Sequence, residues 1–163
     1  MKTITINPFD VSSIENAIKE LREYKKSLDK KCLKLIEIMC AEGEDYAINA
    51  LGHVDTGETL STIMGYRKGK EGLVVAGGNA VWLEFGTGVG NAAWAGGELP
   101  EGIVAHGEYG KGLGKNPPWF YFDERDGKVH VTWGIDANSF MWKTARFLEE
   151  NVGDYARKAF NEV

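Results

Sequence analysis

The chain has 163 residues, 43% of them hydrophobic, which is enough for one domain, residues 1–163, with an ordinary core. Its formal net charge of −5 argues against a dedicated nucleic-acid binder. No apolar run approaches the roughly 20 residues that a membrane-spanning helix needs, and the first six residues lack the long apolar core of a secretory signal.

An extended piece over residues 1–10 leads into a long helix. Ser12 with Glu15 three positions on forms a capping box. Ile14, Ile18, Leu21, Leu28, Leu35 and Met39 then recur at spacings of three, four and seven, which predicts an amphipathic helix. The opposite face carries Lys19, Arg22, Lys25, Lys26, Lys30, Lys31 and Lys34 among Glu20, Glu23 and Asp29, a pattern that reads as a solvated face. Cys32 and Cys40 fall on this helix about 12 Å apart along its axis, too far for a bridge, and read as reduced thiols of a cytosolic environment. Gly43 is expected to interrupt the helix and Gly52 to close it. After a tight turn at Asp55-Thr56-Gly57, residues 59–66 and 73–76 read as two strands joined by a polar turn.

The stretch Val81-Trp82-Leu83-Glu84-Phe85-Gly86-Thr87-Gly88 places one carboxylate between large apolar side chains and ends in a glycine turn. Periodicity over so short a run is compatible with a strand, but Asn79 before it and Gly86 after it are stop signals that favour a two-turn helix. From Gly86 to Gly114, 10 of 29 residues are glycine. Residues 88–118 therefore read as a long functional loop, expected to be mobile in the free chain and to become ordered when assembly buries Trp94 and Tyr109. Residues 119–123 and 129–133 form a hairpin around Asp126-Gly127. Asp136 or Asn138 caps a final helix that Phe140 anchors against the sheet. The predicted class is α+β: long N- and C-terminal helices on a small, mainly antiparallel sheet of about four strands, with a short middle helix and the glycine-rich loop.

Patterns that carry chemistry are weak. Gly88-Val89-Gly90-Asn91-Ala92-Ala93 fits a dinucleotide fingerprint, but Gly96-Gly97 follows at once and no βαβ unit surrounds it. His53, His106, Glu108 and His130 lack the disciplined spacing of a metal site, so neither a metal nor a cofactor is expected. Glu84 and Asp123 are a conceivable carboxylate pair, and a small hydrolase using Glu84 or His106 is the enzymatic alternative. A DNA binder using the basic face of the first helix is another. A carboxylate flanked by apolar residues and a glycine turn more often accepts backbone N–H groups, here from the turn at residues 86–88 or from a neighbouring subunit. Five tryptophans, with Trp94 in a loop that offers it no evident core, favour a protein–protein assembly role.

Three stretches, in order, resemble the tail-completion or head–tail joining proteins of long-tailed bacteriophages. Val54-Asp55-Thr56-Gly57 with Leu60 and Ile63 looks like that family's entry to its first strand. Ala80-Val81-Trp82-Leu83-Glu84-Phe85-Gly86-Thr87 looks like its central signature, and Ser139-Phe140-Met141-Trp142-Lys143-Thr144-Ala145 is similar to the start of its last helix. Ser139 and Thr144 stand where the family has prolines. The resemblance covers roughly residues 11–160 and implies a structural virion protein without catalysis. It implies a ring, usually of six subunits, that contacts the head connector and tail tube, is assembled in the host bacterial cytoplasm and lets DNA pass without specific binding or any membrane contact.

Overall fold

The computed structural model describes residues 4–52, 57–87, 94–98, 100–101 and 118–161. Helix α1, Val11–Leu51, is the scaffold. Its N-cap is Asp10 rather than Ser12, because the Asp10 carboxylate accepts both the Ser12 backbone N–H at 3.0 Å and the Ser12 hydroxyl at 2.9 Å. With Asp10 at the N-cap, Ser12 already lies inside the first turn, too late in the chain to lead a capping box. Gly43 does not interrupt the helix. It is buried, and a Cβ there would lie 2.7 Å from Val74 Cγ2 and 3.0 Å from Leu148 Cδ1. The missing side chain is what allows three elements to meet at one point. Gly52 ends the helix as expected, at φ 70°.

The strand expected from residue 59 begins later. Ser61 Oγ donates to the Glu58 carbonyl and Thr62 Oγ1 to the Thr59 carbonyl, each at 2.7 Å, and these local bonds favour a 3₁₀ turn over Leu60–Thr62. Strands β1, Met64–Lys68, and β2, Glu71–Val75, then pair antiparallel. This hairpin lies directly on α1. A Cβ on Gly65 would stand 2.0 Å from the Cys40 carbonyl oxygen, and the Gly65 N–H donates to Glu44 Oε2 at 2.6 Å.

Helix α2 spans Ala80–Phe85 and settles the choice between helix and strand. Asn79 precedes it but contributes only its backbone carbonyl, which accepts from Trp82 and Leu83. Strands β3, Trp119–Asp123, and β4, Lys128–Thr132, form a second hairpin in the register Trp119↔Thr132 to Asp123↔Lys128. The α+β class holds, but the strands form two separate two-stranded sheets rather than one sheet of four. The first hairpin is fastened to α1, while the second is tethered to α2 through the stretch that follows β4, so no edge of one is brought to an edge of the other.

Helix α3, Phe140–Asn161, runs antiparallel along the C-terminal half of α1. The Tyr46 and Phe147 rings stack at 4.1 Å, Tyr155 donates to Glu42 Oε2 at 3.5 Å, and Lys31 donates to the Phe160 carbonyl at 3.0 Å. Phe140 is 0% exposed and closes the core with Ala47, Leu51, Ile63 and Ala80. It is therefore held among α1, α2 and the entry to β1, and Val74 of β2 packs against the same cluster. Because α3 ends beside Lys31, residues 11–30 of α1 project beyond it for about 30 Å. Among the described residues, no helix is long and apolar enough to cross a membrane.

Candidate functional site

Glu84 sits in the last turn of α2, where Gly86 stops the helix at φ 73°. A Cβ on Gly86 would fall 2.6 Å from the Ala137 nitrogen, so the chain after β4 can press against the α2 end only because residue 86 is glycine. That close approach is held by four backbone or hydroxyl bonds. Asn138 N–H donates to the Leu83 carbonyl at 2.8 Å, Ser139 N–H to the Glu84 carbonyl at 3.1 Å, and Thr87 N–H to the Ile135 carbonyl at 2.9 Å. Thr87 Oγ1 accepts from Ile135 N–H at 3.2 Å.

The consequence is that the Glu84 side chain, 6% exposed, enters the N-terminus of α3. Its Oε2 accepts from Met141 N–H at 2.8 Å, and its Oε1 accepts from Trp142 N–H at 3.1 Å and from the Trp94 indole N–H at 2.7 Å. The first-turn amides of a helix lack intrahelical acceptors and carry the positive end of its dipole, so a carboxylate is well matched to them. Glu84 is an N-cap supplied from 56 residues upstream of Phe140. Of the donors expected at residues 86–88, Gly86 N–H donates to the Trp82 carbonyl and Thr87 N–H to the Ile135 carbonyl, while residue 88 lies outside the described residues.

Neither Asp136 nor Asn138 caps α3. Asn138 instead donates from Nδ2 to the Leu51 carbonyl at 3.2 Å, tying down the C-terminal end of α1. Ser139 occupies the capping position, with its carbonyl accepting from Lys143 N–H, but its hydroxyl accepts from Ala95 N–H at 2.9 Å. It is buried and stands at φ 58°, a value proline's ring cannot adopt, so the family's proline has no place in this backbone. Thr144 spends its hydroxyl on the Phe140 carbonyl at 2.7 Å.

The central motif thus converges as a unit. Leu83 packs against the core, Phe85 meets the Trp94 ring at 5.2 Å, and Glu84, Gly86, Thr87 and Phe140 meet at one junction. Trp94, expected at an interface with a neighbour, is turned inward onto Glu84. Glu84 also borders a pocket of about 340 Å³, whose other walls include Ala80, Val81, Phe85, Met141 and Trp142. Gly57 accepts from Ser61 N–H at the start of the 3₁₀ turn. His53, Asp55, Thr56, the fingerprint at residues 88–93, His106, Glu108 and Tyr109 lie outside the described residues, as does most of the loop expected to order on assembly. The parts of the junction missed in the sequence are Ser139 and Asn138 in their actual roles.

Glu84 and Asp123 have unrelated partners. Asp123 lies at the β3–β4 turn, where Arg125 donates to it in a fork with a shortest distance of 2.7 Å. The Arg125 side chain and backbone N–H beside it bring its carboxyl down from 3.8 to about 2. Asp126 accepts from Lys128 N–H and pairs with His130 Nε2, both at 2.9 Å. Asp123, Asp126 and His130 bring ligand-type atoms within 4.8 Å of one another, a grouping not expected from their spacing, but each is engaged in this local turn network.

Two surfaces contrast with this closed junction. On β3–β4, register places Phe120 opposite Val131 and Phe122 opposite Val129, so all four share one face. They and Trp133 are between 55% and 68% exposed. On the projecting part of α1, Ile14, Ile18, Leu21 and Leu28 form a second exposed stripe, flanked by Tyr24. Lys25, four residues after Leu21 and three before Leu28, falls on the stripe itself rather than on the opposite face expected from the sequence, and Lys19, Arg22, Lys26 and Lys30 are exposed beside it.

Compared with protein-family models, with curated proteins and with solved structures, the chain matches none.

Proposed function

We propose that this chain is a structural subunit of the head–tail junction of a long-tailed bacteriophage, a tail-completion protein that forms a closed ring through which DNA passes. The observation that carries the reading is the pair of exposed apolar surfaces on different elements, the β3–β4 face and the α1 stripe. Cyclic assemblies need two different complementary patches on every subunit, and contiguous exposed apolar area of this kind marks interaction surfaces. The central motif that resembles the family supports the same reading, since its glutamate is consumed in joining α2 to α3. The role is assembly and not catalysis. The ring has six members by the resemblance, and it contacts the head connector on one side and the tail tube on the other. Assembly takes place in the host bacterial cytoplasm and the finished ring resides in the virion. An acidic subunit suits a DNA channel, because it offers few cations for phosphate to hold.

The test is genetic. Inactivating this reading frame in the genome that carries it should yield filled heads and separate tails by electron microscopy, and supplying the purified chain should restore joining. Normal numbers of joined virions from the inactivated genome would overturn the proposal.

A further inference from the structure

We infer that the subunits associate head to tail, with the apolar β3–β4 face of one copy seated on the α1 stripe of the next. This rests on the ring reading only in requiring self-association, and it identifies the two surfaces. The occupant follows from four features of the molecule. First, the two faces lie far apart within one chain. β4 leads through Asn138 to the α1 end at Leu51, whereas Leu28 lies 23 residues earlier on the same rigid helix, about 35 Å away. Second, their lengths match. Residues 14–28 of α1 extend about 21 Å, and a five-residue strand extends about 17 Å.

Third, the area suffices. Aromatic side chains present about 150–250 Å² each, so Phe120, Phe122 and Trp133 with Val129 and Val131 offer roughly 400–500 Å² of apolar surface. An equal area on the helix and a polar rim bring the contact to the roughly 1,000 Å² that a specific interface needs. Fourth, the rims differ in the sign of their net charge. Along the stripe, residues 14–28, four cations stand with three carboxylates, while the hairpin tip from Asp123 to Lys128 has three carboxylates and two cations. Pairing hairpin to hairpin would bring two acidic tips together and leave the helix stripe uncovered. Pairing hairpin to helix covers both, and because the faces differ, every added subunit leaves one of each free until a ring closes.

The experiment uses two full-length variants, Leu21→Glu on the helix face and Val131→Glu on the hairpin face. Both positions are exposed, so circular dichroism should match the unsubstituted chain. A charge placed in the centre of either face should weaken association by about 30-fold or more, leaving each variant monomeric in sedimentation velocity. An equimolar mixture should give a one-to-one heterodimer and nothing larger, since each variant retains one intact face and the two are complementary. Rings that persist in either variant, or a mixture without heterodimer, would overturn the pairing. The outcomes also separate this inference from the ring reading. Rings in the unsubstituted chain that survive both substitutions remove the pairing and leave the ring. Heterodimers in the mixture with open filaments in the unsubstituted chain keep the pairing and remove the ring.

Discussion

Phe140 opens α3 and Phe120 lies in β3; one is completely buried and the other is 68% exposed. The region around Phe140 is closed on every side, by α1 at Ala47 and Leu51, by α2 at Ala80 and by Ile63. Most of its polar groups are paired as well, since Glu84 takes up the first-turn amides of α3 and the Trp94 indole, although Asn138 Oδ1 is buried without a hydrogen-bond partner. The β3–β4 hairpin places Phe120, Phe122, Val129 and Val131 on one face, but among the described residues no helix is packed on that face as α1 is packed on β1–β2. The same apolar pattern therefore has two outcomes in one chain. In the body it holds the fold together; on the hairpin it is left available to another molecule.

The comparison breaks most readily at Phe140. Phe140→Ala should destabilise the chain by about 3–5 kcal/mol in denaturant titration, because no neighbour can close a cavity bounded by two helices. Phe120→Ala should change stability by no more than about 0.5 kcal/mol, as for other surface substitutions. Equal losses at the two positions would mean that the hairpin face belongs to the core, and the distinction would collapse.

Glu84→Gln sharpens it at the junction. The amide keeps the shape but puts an N–H₂ group against one of the donors from Met141, Trp142 or Trp94. A loss of about 2 kcal/mol is expected from a charged acceptor exchanged for a partly mismatched one. Amide exchange should show that loss first in the opening turn of α3. A variant as stable as the unsubstituted chain would show that the Glu84 charge does not hold α2 to α3.

The smallest effect is expected at the hairpin tip. The Arg125 fork holds the Asp123 carboxyl at about 2, below its ordinary 3.8. A lowered carboxyl pKa means that the stabilisation is complete above pH 3.8 and is lost as pH falls through about 2. In Arg125→Met, the Asp123 carboxyl resonance should titrate closer to the ordinary carboxylate range, with core signals around Phe140 unaffected. An unchanged midpoint would mean that Arg125 is not the cause. A shift that spreads to the core would tie the two regions together.

Much of the fold was legible because it depends on local chemistry. The three-and-four spacing of Ile14, Ile18 and Leu21 marked α1, the positive-φ glycines at 52 and 86 marked two helix ends, and Asp126-Gly127 between two strand-like runs marked the second hairpin. The importance of Glu84 was legible too, since a carboxylate among apolar side chains must find donors. Which donors it finds was not, because Met141 and Trp142 are more than 50 residues away and no spacing encodes that approach. Gly43 misled for the same reason. Its intrinsic helix cost is local, but its value lies in the contact it permits with Val74 and Leu148. Sequence by itself determined the elements and their amphipathic faces, through backbone preferences and the period of apolar side chains. Tertiary structure alone decided which faces were covered, why Ser139 adopts φ 58° and where the Glu84 charge lies, because these follow from approaches between distant segments.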